Sequence, residues 1–329
     1  RGNLEDEDTI FNGDFIKTHE KDPIFMNALK INDAGQIFAG TKYHLASSYY
    51  DNKIDYLFID EAGQLSLADL ISIGNIAKNI VLIGDQNQLG QPIKGTHPNE
   101  SGQSILDYLL EGRDTIPENR GIFLNKTYRL HSKINEFISS NFYEGRLNCD
   151  ERTDKRTINF NKKCIIQKPG VHYIEMKHKN NVQTSLEEIE TVVDLMKQMI
   201  GSGFNDNGKK RELNVKDFLI ISPYNTQVNL MIAKLEEEKI KNPRVGTIDK
   251  FQGQEAPINI ISMTSSDSET LPRNKEFFFS KNRLNVAISR AQVASIILFN
   301  PKILDFFPKD INQIKLVNNF FKLLDYKVE

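Results

Sequence analysis

The chain has 329 residues, 39% of them hydrophobic and 26% charged, with a formal net charge of −2. That length accommodates one large domain or two of ordinary size, and no apolar run approaches the ~18–20 residues of a membrane span. The charge balance excludes bulk basic attraction to nucleic acid, so any such groove must be local, or must read stacked bases and backbone. Two cysteines, Cys149 and Cys164, have no ligand cluster nearby; this argues against a disulfide framework or a zinc site and fits a reducing, intracellular compartment. No signal-peptide pattern opens the chain, which begins at Arg1 rather than Met and is expected to be a fragment or a processed product.

Short apolar runs alternate with longer amphipathic stretches, the pattern of an α/β fold with a mostly parallel sheet. Residues 1–35 are acidic and weakly periodic and read as a peripheral or inserted segment. Strands are expected at 36–39, 56–59 and 80–83, with a helix over 66–77 capped by Ser66. Residues 90–119 hold one short helix, 104–110, in a polar stretch that suits a hinge. Alternation then restarts, with strands at 122–124, 171–175, 218–221, 244–248, 258–263 and 295–299. Helices are expected at 132–143, 185–200, 226–238, 281–291 and 311–324. Six strands make a full second sheet, whereas the first is incomplete. The Lys- and Asn-rich stretch 149–168 reads as an exposed excursion.

Chemistry concentrates behind the strands. Asp60-Glu61-Ala62-Gly63 follows the apolar run Tyr56-Leu57-Phe58-Ile59, which reads as a buried strand. Adjacent carboxylates there suit one that reaches Mg²⁺ and one that acts as a base on water; a solvated strand end or a helix cap is the plainer alternative. Ile80-Val81-Leu82-Ile83 reads as a second buried strand leading into Gly84-Asp85-Gln86-Asn87-Gln88-Leu89, at the sheet edge where α/β ligands bind. Gln88 could bond a γ-phosphate or its attacking water; an ordinary Gly-Asp turn is the alternative. In Lys126-Thr127-Tyr128-Arg129-Leu130-His131, Arg129 could stabilise charge across a cleft and Tyr128 offers a stacking face, or the pair joins a surface ion pair.

In the segment from Val245 to Glu255, Gly253 permits close backbone approach and Glu255 could accept from a ribose, unless this is a plain strand-connecting loop. The helix carrying Arg283 and Arg290, seven residues apart, puts both guanidinium groups on one face. That face suits phosphate, or is simply a solvated basic surface.

Taken together the segments resemble the superfamily 1 helicases of the Upf-like group, which includes nonsense-mediated-decay and senataxin-type enzymes. Phe58-Ile59-Asp60-Glu61-Ala62 resembles motif II, residues 84–89 motif III and Tyr128-Arg129-Leu130-His131 motif IV. Ser222-Pro223-Tyr224-Asn225-Thr226-Gln227, then residues 251–255 (motif V) and 283–291 (motif VI), follow in the family's order. The resemblance implies two RecA-like domains, the first occupying 1–118 in part and the second 119–329, with ATP between them.

By the same resemblance Asp60 holds Mg²⁺, Glu61 activates water, Gln88 senses the γ-phosphate, and Arg129 and Arg290 act as arginine fingers. Such a finger is worth ~10³–10⁵ in rate. Tyr128 borders the adenine, Gly253 and Glu255 lie near the triphosphate and ribose, and Arg283 supports nucleotide binding. Thr41, Pro223, Tyr224, Thr247 and Gln252 are the implied contacts to single-stranded DNA or RNA, with 5′-to-3′ travel.

One family element does not occur. No Gly-x-x-x-x-Gly-Lys-Ser/Thr loop lies upstream of Asp60, and the adenine-recognising segment before it is absent too. The N-terminal part of the same protein is expected to carry them, and residues 1–329 alone are expected to bind ATP weakly and hydrolyse almost none. The competing readings are a non-catalytic nucleic-acid-binding scaffold derived from such a helicase, and the helicase arm of a nuclease or defence protein.

Overall fold

The structure, a computed structural model, describes residues 37, 39–91, 95, 97–268, 271, 279–305, 308 and 311–326. The segment expected to be peripheral, 1–35, lies outside these residues, as do Gln36 and Phe38 of the strand expected at 36–39; Ile37 and Ala39 form no strand. The chain divides into two compact units, Arg1–Ser47 and Ser48–Glu329. The described part of the first holds one helical turn, α1 (Lys42–Leu45), preceded by an extended Thr41 whose side chain makes no capping bond.

The second unit opens with β1 (Ile54–Ile59), α2 (Leu67–Gly74) and β2 (Ala77–Leu82), the two strands pairing in parallel. Ser66 caps α2 as expected, its hydroxyl accepting from the Asp69 amide at 3.1 Å. The helix stops at Asn75 rather than 77 because the Ile76 carbonyl is taken by the Ile54 amide (3.0 Å), which begins the β-ladder. The two strands expected to be buried are only half so. Leu57 is buried, but Tyr56 and Phe58 on the opposite face are 58% and 65% exposed, and Ile80 is 40% exposed. Period-two alternation turns every second side chain of a two-stranded ribbon outward.

After α3 (Ile105–Leu110) comes a small parallel pair, β3 (Lys126–Thr127) and β4 (Asn148–Cys149), flanking α4 (Ser132–Phe142). The strand expected at 122–124 does not form, and Ile122 and Leu124 are exposed; pairing starts where Asn148 donates to the Asn125 carbonyl (2.7 Å). The stretch 149–168 is not an exposed excursion. It contributes β5 (Thr157–Asn159) and buries Ile158, Phe160, Cys164 and Ile166.

β6 (Gly170–Glu175) and α5 (Leu186–Met199) follow, and then β7 (Gly203–Asp206) and β8 (Lys209–Glu212) form a hairpin that pairs with β5. Its Asn207-Gly208 tip has both φ angles positive, as a tight two-residue hairpin turn requires.

The remaining elements are β9 (Phe218–Ile221), α6 (Asn225–Glu237), β10 (Val245–Gly246), β11 (Ala256–Ser262), α7 (Lys281–Ser289), β12 (Ala291–Phe299) and α8 (Ile311–Asp325). Five strands, in the order β10-β9-β11-β12-β6, form one wholly parallel sheet; six were expected. β10 is shorter than the expected 244–248 because Thr247 turns the chain into a 3₁₀ helix, Ile248–Phe251. Alternate residues feed two cores. Leu219, Ile221 and Ile261 face α4, α7 and α8, while Phe218, Ile220, Ile258 and Ile260 face α5 and α6. Helices thus cover both faces of the sheet, as a parallel sheet requires, and all its carboxyl ends share one edge.

Candidate nucleotide site

The carboxylate pair sits on a backbone clasp between two loops. Ile83 donates to the Ile59 carbonyl (2.8 Å) and Ala62 to that of Ile83 (2.9 Å). A Cβ on Gly63 would stand 2.5 Å from the Asp85 carbonyl oxygen, and one on Gly84 2.7 Å from the Ala62 nitrogen. Only glycine at both positions lets the loops touch. Glu61 itself is left-handed (φ 54°) and exposed; its amide donates to Asp60 Oδ1 (2.9 Å), and Gln64 Nε2 donates to Glu61 Oε2 (3.2 Å).

The loop 85–88 is tied to α4 and α7. Asp85 Oδ2 accepts from the Tyr143 hydroxyl (2.6 Å) and from Gln88 Nε2 (3.1 Å), while Oδ1 accepts from the Asn87 amide (2.9 Å). Asn282 Nδ2 donates to the carbonyls of Gln86 (2.8 Å) and Gln88 (2.7 Å). Asn285 Nδ2 donates to the carbonyl of Asn87 (2.8 Å) and to the Tyr143 oxygen (3.0 Å). The buried Asn87 side chain donates to the Phe142 (2.7 Å) and Asp114 (2.9 Å) carbonyls. Burial and the Asp85 carboxylate both push the Tyr143 phenol far above its ordinary range, so it stays a donor. Sequence reasoning missed Tyr143, Asn282 and Asn285 as site residues. The two asparagines lay in view within the arginine-bearing helix, but nothing local distinguishes them from a polar face.

Arg129, Glu255 and Arg290 come together, with Glu61 within electrostatic reach of Arg290. Arg129 Nε donates to the Glu255 carboxylate and its Nη1 to the Ser289 carbonyl (3.4 Å), while Gln292 Nε2 donates to Glu255 Oε1 (2.7 Å). Burial raises the Glu255 carboxyl, but the Arg129 bond and charge, Gln292 and the Arg156 charge together hold it below its usual range. Arg290, at the end of α7, is 4% exposed. Burial and the Arg129 charge lower its guanidinium to about 10, against the upward pull of Glu61 and Glu255. Its Nη1 donates to the Gln254 carbonyl (3.3 Å), and its buried Nε has no partner. That orphan donor among two guanidinium groups fits an anionic oxygen, such as a phosphate.

The other expected residues are distributed around this cluster. Arg283 reaches Asp249 at 3.2 Å. Tyr128 is half-exposed, with the Arg152 guanidinium 5.1 Å from its ring centroid and Arg152 itself held by Asp150 at 2.7 Å. Arg156, also unforeseen, pins the Tyr128 and Arg129 carbonyls (3.2 and 2.7 Å). Gly253 has φ +74° with nothing near its missing Cβ, so its backbone rather than its space calls for glycine. Pro223 and Tyr224 follow β9, Thr247 follows β10, and Gln252 is exposed after the 3₁₀ helix, so the first three share the sheet's carboxyl edge. Thr41 belongs to the other unit. Among the described residues no helix is long and apolar enough to cross a membrane, and no three His, Cys, Asp or Glu residues cluster as metal ligands.

A family profile described as an AAA domain matches residues 102–302, more than half of the chain. The DNA replication ATP-dependent helicase/nuclease DNA2 of Gallus gallus is 28% identical over 251 residues, covering 74% of this chain and 23% of that protein. The DNA polymerase alpha-associated DNA helicase A of Saccharomyces cerevisiae is 27% identical over 288 residues, with shares of 79% and 41%. The ATP-dependent helicase NAM7 of the same yeast is 28% identical over 266 residues, with shares of 77% and 26%. The chain therefore spans less than half the length of each of these relatives. With the ordered motifs and their geometry, the profile match identifies this chain as a member of that AAA-domain family, in the Upf-like group of superfamily 1 helicases.

Proposed function

We propose that the chain is the core portion of an ATP-dependent helicase or translocase that moves on single-stranded DNA or RNA. The observation that carries this reading is Arg290: a buried guanidinium with an unpartnered Nε, beside Arg129 and within electrostatic reach of Glu61. Glu61 and Glu255 offset part of the cost of burying this second cation beside the first, but the Arg290 Nε donor stays unmet unless a further anion reaches it. A nucleotide's phosphates supply that anion, and Mg²⁺·ATP supplies the hydrolysable bond. Asp60 would hold the metal through water, and Glu61 would take the proton of the attacking water. Arg129 and Arg290 would neutralise charge that develops on the phosphates.

Gln88 would sense the terminal phosphate. Its side chain bonds Asp85 and its carbonyl is tied to Asn282 on α7, so this reading links the nucleotide to the helix bearing Arg290. Tyr128 would border the base, with Gly253, Glu255 and Arg283 around the rest of the nucleotide. Thr41, Pro223, Tyr224, Thr247 and Gln252 would contact the strand's backbone. We divide the chain at 118/119 into two RecA-like domains. The phosphate-gripping loop, which does not occur in these 329 residues, would come from another segment of the intact protein. Two free cysteines and the relatives' named activities fit a place inside the cell.

The test is nucleic-acid-stimulated ATP hydrolysis by the full-length gene product, with DNA and RNA compared and Glu61→Gln alongside. Stimulation that Glu61→Gln abolishes supports the reading. A stimulated rate that survives this substitution removes Glu61 from its role, and absence of any stimulation favours a non-catalytic scaffold.

A further inference from the structure

The carboxyl edge of the five-stranded sheet continues past Thr247 and Tyr224, and its next stretch is built on a fully buried polar network that the nucleotide site does not use. Glu188 on α5 has no exposed surface. Its Oε2 accepts from the Ser262 hydroxyl (2.6 Å) and the Thr264 amide (3.0 Å), and its Oε1 lies 3.2 Å from His178 Nε2. His178 Nδ1 is 2.8 Å from the Ser266 hydroxyl, and the His178 carbonyl accepts from Asn300 Nδ2 (2.7 Å). Thr264 is β-branched yet left-handed (φ 66°), a strained conformation that the Glu188 bond to its amide helps hold.

The same network fastens the segment that follows β6. Ser266 and Asn181 exchange bonds (2.8 and 2.9 Å), Ser265 Oγ donates to the Val182 carbonyl (2.7 Å), and Thr226 Oγ1 donates to that of Gln183 (3.1 Å). Tyr224 also bonds Ser265. The segments after β9, β11 and β6 are thereby joined into one ridge that ends at residues 177–183, and Thr247, which follows β10 beside β9 in the sheet, marks its other limit. Four strand spacings of ~4.8 Å make that ridge about 19 Å long.

His178 is buried while its neighbours Lys177 and Lys179 are both exposed, and neither lysine has an ion-pair partner among the described residues. The nearby Glu187 carboxylate is occupied by Asn181 Nδ2 (2.8 Å) and the Ser185 hydroxyl (2.9 Å). Two exposed cations two residues apart, without ion-pair partners among the described residues and at the end of this ridge, suit consecutive phosphates.

We propose that single-stranded nucleic acid runs along this ridge from Thr247 and Tyr224 onto residues 177–183, with Lys177 and Lys179 contacting its phosphates. The inference rests on the reading of the chain as a nucleic-acid translocase and extends its strand path.

The experiment measures fluorescence anisotropy of labelled oligothymidylate and oligouridylate with the full-length gene product over a range of salt. The variants are Lys177→Ala/Lys179→Ala and, as a charge-matched control on the exposed strand β8, Lys209→Ala/Lys210→Ala. Losing two phosphate contacts should weaken binding roughly ten-fold near 0.1 M salt and flatten the log–log salt slope by about 1.4. The control should leave the slope unchanged. Binding by the parent with the two double variants indistinguishable overturns the lysine path and spares the broader reading. Failure of the parent to bind either polymer overturns both.

Discussion

Burial and the charge of Arg129 lower the Arg290 guanidinium to about 10, and the carboxylate of Glu61 pulls it back up. The proposed base and the proposed finger are therefore electrostatically coupled, although one follows β1 and the other caps the end of α7. Removing the carboxylate has a determined sign. In Glu61→Gln the upward pull is gone while burial and Arg129 remain, so Arg290 should titrate below its parent value. Carbon-13 NMR of the guanidinium carbon in selectively labelled protein reads this directly; an unchanged titration would show that the two groups are not in electrostatic contact.

Stability and activity should separate at Arg290. A buried cation with an orphan N–H is a poor contributor to folding, and replacement by an apolar side chain of similar length is often neutral or stabilising. Arg290→Met should keep or raise the urea midpoint while cutting the stimulated ATPase of the full-length protein about 10³-fold or more. A large loss of stability would reassign Arg290 to a structural role.

At Glu255 the pH dependence carries the sign. Its carboxyl is held below the usual range, so its contribution to folding is present above the unfolded value and is lost as pH falls through the depressed folded value. In Arg129→Gln the largest remaining influence is burial, which raises the carboxyl, so the favourable contribution disappears. The parent should be the more stable protein at neutral pH, and the two urea midpoints should converge in acid as Glu255 protonates. A difference independent of pH would place the cost in the Ser289 contact.

Much of this was legible in the sequence, for reasons that differ by element. The strand 218–221 is legible as a continuous apolar run buried on both faces, and the helices over 132–143 and 185–200 emerge from periodicity because each has a strong apolar face; the structure moves the helix ends by only a residue. Ends went astray where a distant partner takes the backbone, as Ile54 does at Ile76. The hairpin tip Asn207-Gly208 is a local turn signal, readable because both residues tolerate the positive φ that the turn requires. The α/β class and the helicase family were legible because each motif is a run of neighbours. Tyr143, Asn282 and Asn285 were not, because their role exists only once α4 and α7 pack against the loop 85–88.

That packing makes Tyr143 a testable joint. Its hydroxyl donates to Asp85 and accepts from Asn285, so Tyr143→Phe leaves an aspartate oxygen and an asparagine N–H each short of one bond. The expected cost is about 1–3 kcal/mol, because partners stranded in a poorly solvated interface lose more than a bond's net worth. Hydrogen exchange should quicken at Asn87 and Gln88, whose amides are both bonded to Asp85. Unchanged exchange there with lower global stability would mean that the hydroxyl braces α4 and not the loop.

The two glycines most exposed to test differ in kind. A methyl on Gly63 meets the Asp85 carbonyl oxygen at 2.5 Å, a backbone atom that cannot rotate away, so Gly63→Ala must part the two loops. Gly253 has open space where its Cβ would be and only an unfavourable φ of +74°. Gly63→Ala should therefore cost about 1–3 kcal/mol as overpacking, and Gly253→Ala about 1–2 kcal/mol as backbone strain. Energies of that size do not tell the two apart, but position does. Parting the loops at Gly63 displaces Asp85 from Tyr143 and Gln88, so Gly63→Ala should reproduce the faster exchange at Asn87 and Gln88. Gly253→Ala should leave those amides protected, since its strain falls beside Glu255. If Gly63→Ala left the exchange of the loop 85–88 untouched, the contact between the two loops would not be what holds Gln88 in place.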